Sequence, residues 1–307
     1  MASYLEASMR TRDIFLTALA PVMWGTTYIV TTELLPPDRP LLTALIRALP
    51  AGILLTLIAR RLPQGRWWWK ASVIGALNIA VFFALLFLAA YRLPGGVAAV
   101  AAAAGPLATA GATILILHQK VRLRTWLLGL AGVTGVAMVV LTAEARLDAI
   151  GAVAGVGGAV SMAFAVVLTK RWGLPTSAGP AALAGWQLIA GGLLLLPVAF
   201  LVEGAPPEFT GTNAVGYLYL GLVNTALGYW LWFRGIGRLS VVPLSFLTLM
   251  APLTAAALGW AALGETFTPW QTAGFAVALT ATVLSQLQAK PSPTPPKEIQ
   301  SPEPARV

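Results

Sequence analysis

Ten stretches of about 20 residues, almost free of charge, recur along this 307-residue chain, and no other feature constrains its fold as strongly. They run approximately over 14–33, 41–59, 68–91, 95–117, 125–142, 149–169, 179–201, 213–234, 240–263 and 269–288. At about 1.5 Å per residue, each is long enough to cross the roughly 30 Å hydrocarbon layer of a bilayer. None shows the period-2 alternation of an outer-membrane strand, so the runs predict helices. Short connections make successive helices antiparallel neighbours. Charged residues are 10% of the chain, against about 25% in soluble domains. The apolar excess is more than a globule of this size could hide, which excludes a soluble enzyme and a disordered chain.

The basic residues carry topology. With the N-terminus inside, sixteen of the twenty Lys and Arg fall on the inner face, among them Arg10, Arg60, Arg66, Lys120, Lys170 and Arg238. Only Arg39, Arg92 and Arg146 fall outside, and Arg47 lies within a run. Such an asymmetry over short loops predicts cytoplasmic termini. The net charge of +9 is therefore a membrane signature, and no nucleic-acid partner is expected. Arg10 and Arg12 precede a full-length span, which reads as a first helix that is kept, with no cleaved signal peptide. Trp67, Trp68 and Trp69 beside Arg66 and Lys70 form an interfacial anchor. The chain has no Cys and a lone His118, so neither metal nor cofactor is expected.

The two halves resemble each other. At an offset of 146, residues 75–120 align with 221–266 without a gap and with 11 identities in 46 positions, including Gly75/Gly221, Asn78/Asn224, Arg92/Arg238 and Pro106/Pro252. An offset of 140 pairs Ala44, Gly52, Leu54 and Leu55 with Ala184, Gly192, Leu194 and Leu195, and sets Arg47 against Gln187. Five spans per half is an odd number, so the second copy must be inverted. The expected division is a cytoplasmic N-terminus over 1–13, a first five-helix repeat over 14–145, a second, inverted one over 146–289, and a disordered Pro-rich cytoplasmic tail over 290–307. Inverted repeats are a transporter architecture, with the site near the midplane where they meet.

Residues 14–288 resemble the drug/metabolite transporter superfamily, EamA type. The resemblance rests on Trp24-Gly25, on Ala104-Gly105-Pro106 leading to Gln119, on Met250-Ala251-Pro252 leading to Gly264-Glu265, and on Trp270 and Gly274. Within the superfamily the chain is most similar to the YddG aromatic amino acid exporters, departing from the pattern at Met162-Ala163, where Trp-Ala is frequent. The resemblance implies an all-α membrane protein of ten helices in a bacterial inner membrane, exporting amino acids with aromatic or other apolar side chains by alternating access around a central cavity. A broad-specificity drug or metabolite exporter, with or without proton coupling, is the alternative. The partners expected are a small-molecule substrate and the lipid bilayer, with the protein a monomer or a homodimer.

Depth selects the candidate site residues. Trp24, Asn78, Pro106, Asn224 and Pro252 each lie about ten residues into their runs, near the midplane. An Asn in hydrocarbon needs a partner, so Asn78 and Asn224 face inward, either bonding helix to helix or touching substrate. Pro106 and Pro252 free the carbonyls of Ala102 and Thr248, predicting kinks that could also gate. Tyr28, Phe82, Phe83, Tyr229, Trp230 and Trp260 add aromatic surface; Trp24, Tyr28, Phe83 and Tyr229 are the substrate-binding candidates among the aromatics. Arg47 has two readings. It either snorkels outward to Glu33 or faces inward, where its guanidinium would hold a carboxylate by two parallel bonds. Glu265 reads as a surface residue. No Asp or Glu lies deep in a run, which favours facilitative transport over proton antiport. No catalytic constellation lies in the runs, so an enzyme is not expected.

Overall fold

The structure, a computed structural model, describes residues 2–92, 95–141, 148–175, 178–263 and 267–287. Among these residues all regular structure is helical. The first run comprises α1 (Ala2–Gly25) and α2 (Thr27–Leu34), and the second is α3 (Pro40–Ala59). The third is α4 (Trp67–Gly75), a π-helical segment over Ala76–Val81, and α5 (Phe82–Arg92). The fourth is α6 (Gly95–Ala103) and α7 (Gly105–Leu117), followed by α8 (Leu123–Val140), α9 (Ala149–Trp172) and α10 (Gly179–Glu203). The eighth repeats the pattern of the third, with α11 (Gly211–Tyr219), a π segment over Leu220–Leu227 and α12 (Gly228–Arg238). The ninth is α13 (Val241–Phe246), a 3-10 turn at Leu247–Leu249 and α14 (Met250–Leu263), and the last is α15 (Pro269–Leu287).

Among the described residues, eight helical stretches are long and apolar enough to cross a membrane, from Ser8–Thr31 to Val241–Ala262. The stretches over 211–238 and 269–287 occupy the other two expected runs but do not join that set. Arg234 and Arg238 end the former, and Thr and Gln dilute the latter. Residues 2–13 are helical and continuous with the first span. The junction between the halves at 145/146, Arg146, the Gly264-Glu265 pair and the tail over 290–307 lie outside the described residues.

Local chemistry sets the helix ends and breaks. α3 opens on Pro40, which has no N–H to leave unpaired, and the carboxylate of Glu203 accepts from the Leu41 and Leu42 amides at 2.6 and 2.8 Å. At its other end Arg60 turns left-handed, φ 50°, and returns its N–H to Thr56 and Leu57. The expected proline kinks take two forms. Span four is interrupted at Ala104, and Gly105-Pro106 opens a new helix rather than bending an old one. Span nine tightens into the 3-10 turn just ahead of Pro252. Span one breaks at Thr26, whose hydroxyl and N–H both donate to Met23 O, at 2.7 and 3.0 Å. A Cβ on Gly25 would lie 2.5 Å from Ala251 O, so this break lies directly against the backbone beside Pro252.

The halves interleave. α3 packs along α10, α8 along α15, and α1 against α12 and α14. Small residues let the backbones touch. Large apolar side chains such as Val153, Leu201 and Leu115 point outward, as they would toward lipid. At Gly135 an added Cβ would meet Ala278 N at 2.6 Å and Gly274 O at 2.8 Å, whereas at Gly129 it would press on side chain alone, on Leu107, with Phe246 in ordinary contact at 4.0 Å. Gly135→Ala is therefore expected to cost about 2 kcal/mol. Gly129→Ala should be near neutral, since Leu107 can turn aside and alanine favours the helix. Thermal unfolding in detergent checks the difference, and equal losses would refute backbone contact as the cause.

Candidate functional site

The two π segments place equivalent asparagines at the interface between the halves. A π turn carries an extra residue and disturbs the regular ladder, and such turns are frequent at functional sites. Asn224 is fully buried and works as a junction. Its Nδ2 donates to Met23 O at 2.5 Å and to Thr27 Oγ1 at 3.1 Å, on either side of the break in span one. Its backbone carbonyl accepts from Trp24 Nε1 at 3.0 Å. Its Oδ1 accepts from the Nη2 of Arg47.

Arg47 turns inward. Its side chain is buried, with 8% exposure, so the outward reading toward Glu33 does not hold. Nε donates to Thr225 Oγ1 at 2.9 Å, and the guanidinium carbon lies 5.6 Å from the centroid of the Phe83 ring. Both hydrogen-bond partners are neutral, and among the described residues no carboxylate pairs with this cation. A charge in the membrane interior costs several kcal/mol unless compensated, and dipoles and a ring face compensate only in part.

The other asparagine makes the reciprocal contact. Asn78, 1% exposed, donates from Nδ2 to Gln187 Oε1 at 3.0 Å, and Gln187 is fully buried. By the offsets of 140 and 146, Gln187 is the repeat mate of Arg47 and Asn78 that of Asn224. Span two of one half thus bonds span three of the other, in both directions. Such an exchange of partners is what a two-fold relation between the halves would produce.

Aromatic rings wall the Arg47 side. Trp24 packs on Tyr229 and on Trp232, with centroids 5.3 Å apart in each pair, and Tyr229 stacks on Phe233 at 6.4 Å and 16°. Of the expected residues, Trp24, Arg47, Phe83, Asn224 and Tyr229 thus share one neighbourhood. Asn78 belongs to the reciprocal pair, while Pro106 and Pro252 sit at the helix breaks. The Tyr28 side chain lies outside the described residues. Trp230 and Trp260, 39% and 57% exposed, face outward. Thr225, Gln187 and Trp232 were not among the expected residues. The signal for Gln187 was its alignment with Arg47, whereas nothing in composition marks Thr225 or Trp232.

At the end of the molecule that the charge pattern places inside, Asp13 pairs with Arg234 at 2.6 Å and Arg238 at 3.2 Å, tying α1 to α12. Lys170 donates to the carbonyls of Ile236 and Leu239, at 2.9 and 2.8 Å.

A sequence model described as the EamA-like transporter family matches this chain twice, over residues 11–141 and 149–287. Protein PecM of Dickeya dadantii is 43% identical over 267 residues, covering 87% of this chain and 90% of that protein. The uncharacterized inner membrane transporter YedA of Escherichia coli is 30% identical over 276 residues, covering 87% and 88%. A solved crystal structure superposes with a TM-score of 0.75 at 20% identity, covering 91% of this chain and 98% of the other, a likeness of fold.

Proposed function

The chain belongs to the EamA-like transporter family, and from that premise we propose that it exports amino acids with aromatic or other apolar side chains across a bacterial inner membrane. It is a multi-pass membrane transporter, not an enzyme. The observation that carries the finer reading is Arg47, a buried cation bonded, among the described residues, only to neutral groups and neighboured by aromatic rings. A carboxylate would supply the missing counter-charge through a fork of parallel N–H···O bonds, and Trp24, Tyr229 and Phe83 would take the apolar body. This also supports similarity to the aromatic amino acid exporters within the superfamily. The reading includes ten spans in two inverted repeats, cytoplasmic termini, and alternating access by movement of one repeat against the other around this interface. Transport is facilitative, because among the described residues the deep polar groups at this interface are amides, hydroxyls and one guanidinium, and none is a carboxylate that could shuttle a proton.

Counterflow in proteoliposomes tests it. Liposomes preloaded with unlabelled amino acids should take up labelled aromatic ones saturably and without a pH gradient. Dependence on the gradient would overturn facilitation. Uptake of chemically diverse drugs in place of amino acids would establish the broad-specificity alternative. Trp24→Ala should lower aromatic uptake at least tenfold, through loss of the ring wall and of its bond to Asn224. Trp230→Ala, on the outward face, should change it less than about twofold.

A further inference from the structure

The hydrogen bond between Asn78 and Gln187 uses half of each amide. Asn78 Oδ1 and Gln187 Nε2 are buried and have no partner among the described residues, although the two side chains are 1% and 0% exposed. The assignment of amide oxygen and nitrogen does not alter this. With both amides reversed, the bond runs the other way, and one donor and one acceptor are again unspent. Buried polar groups are nearly always satisfied, and each unsatisfied one needs a reason.

The pair also stands in a definite place relative to Arg47. Gly52 of α3 lies against Gly185 and Ile189 of α10, and Leu49 against Gly192, so the two helices run antiparallel. Arg47 is then level with a point about six or seven residues beyond Gln187, an axial separation of roughly 10 Å. Phe83, five residues after Asn78 on the same helical stretch, has Arg47 over its ring, so Asn78 and Phe83 face the same helix pair.

We propose that Asn78 and Gln187 form a second pole of the substrate site, taking a neutral group that both donates and accepts a hydrogen bond, a hydroxyl or a carboxamide, at the far end of a carboxylate held by Arg47. This rests on the carboxylate reading of Arg47. The chemistry excludes simpler occupants. An ammonium would satisfy Asn78 Oδ1 and leave the Gln187 N–H unpaired, a second carboxylate would do the reverse, and a bare phenyl ring would leave both. A phenolic hydroxyl donates to one and accepts from the other. The preferred substrate is therefore an aromatic carboxylate with a terminal hydroxyl or amide. A site built to bond a substrate hydroxyl discriminates strongly against the analogue that lacks it.

The test uses the full chain in proteoliposomes and two matched pairs, tyrosine with phenylalanine and 3-(4-hydroxyphenyl)propionate with 3-phenylpropionate. The wild type should show at least a tenfold higher kcat/KM for the hydroxylated member of each transported pair. In the double variant Asn78→Leu with Gln187→Met, which removes donor and acceptor together, that ratio should fall to within about twofold of one. Equal handling by the wild type overturns the second pole alone, as when the pair merely holds water. Survival of the preference in the double variant also overturns it. Transport of none of the four compounds removes the carboxylate reading and the pole with it. Preference among the propionates without transport of either amino acid keeps the pole and removes the amino-acid assignment.

Discussion

Replacing Arg47 with glutamine is expected to lower uptake at least a hundredfold while leaving thermal stability unchanged or raised. The two effects have separate causes. Glutamine is what the other half carries at the equivalent position, where it is fully buried and hydrogen-bonded to an asparagine, so the substitution copies an arrangement the fold already accommodates. It relieves the molecule of a charge in the membrane interior, a change that in buried sites is often neutral or stabilising. The fork that would hold a carboxylate is lost, and a hundredfold corresponds to about 2.7 kcal/mol, within the range of a charge-assisted hydrogen bond. Arg47→Lys keeps the charge without the planar fork and should fall between. Initial uptake rates in proteoliposomes, beside unfolding midpoints in detergent, check both halves of the expectation. Near-normal uptake by Arg47→Gln would remove the guanidinium from the transport step.

The second large effect separates the two asparagines. Asn224→Ala takes the amide from Arg47 and cuts both bonds to span one, at Met23 and Thr27. A buried cation stripped of a main partner typically costs 3–5 kcal/mol. Asn78→Ala removes one neutral bond and should cost about 1 kcal/mol. A gap of about 2 kcal/mol or more between the repeat mates is therefore expected in denaturant titrations of the solubilised protein. Equal losses would mean that the Arg47 contact contributes little to the fold.

How much of this the sequence disclosed depends on the range of the interaction. Hydrophobic runs, loop charge and the two offsets are local or pairwise properties of the string, and among the described residues helices occupy the expected runs. Alignment of the halves also paired Arg47 with Gln187 and Asn78 with Asn224. It could not reveal that the bonds run crosswise, because an offset reports equivalence and says nothing of contact. The orientation of Arg47 was open for the same reason. What decides it lies 177 and 178 residues away, in Asn224 and Thr225. The π segments left no trace in residue type either. Ala-Leu-Asn-Ile-Ala-Val is ordinary helix composition, and the wider turn is set by what the helix packs on. The break at Thr26 lies against the backbone beside Pro252, a contact that no reading of the first run alone contains.

The unequal occupancy of two equivalent positions has a thermodynamic consequence. In a duplicated transporter whose two-fold relation interchanged its two access states, those states would be degenerate, and the empty protein would divide its time equally between them. Any residue that differs between the halves at their interface lifts that degeneracy by the difference in its energy in the two settings. On the alternating-access reading proposed above, Arg47 and its repeat mate Gln187 would be such a pair, since one carries a charge and the other does not. A bias of 1.4 kcal/mol already sets the resting populations about ten to one. The same guanidinium would then determine on which side of the membrane the unloaded protein waits.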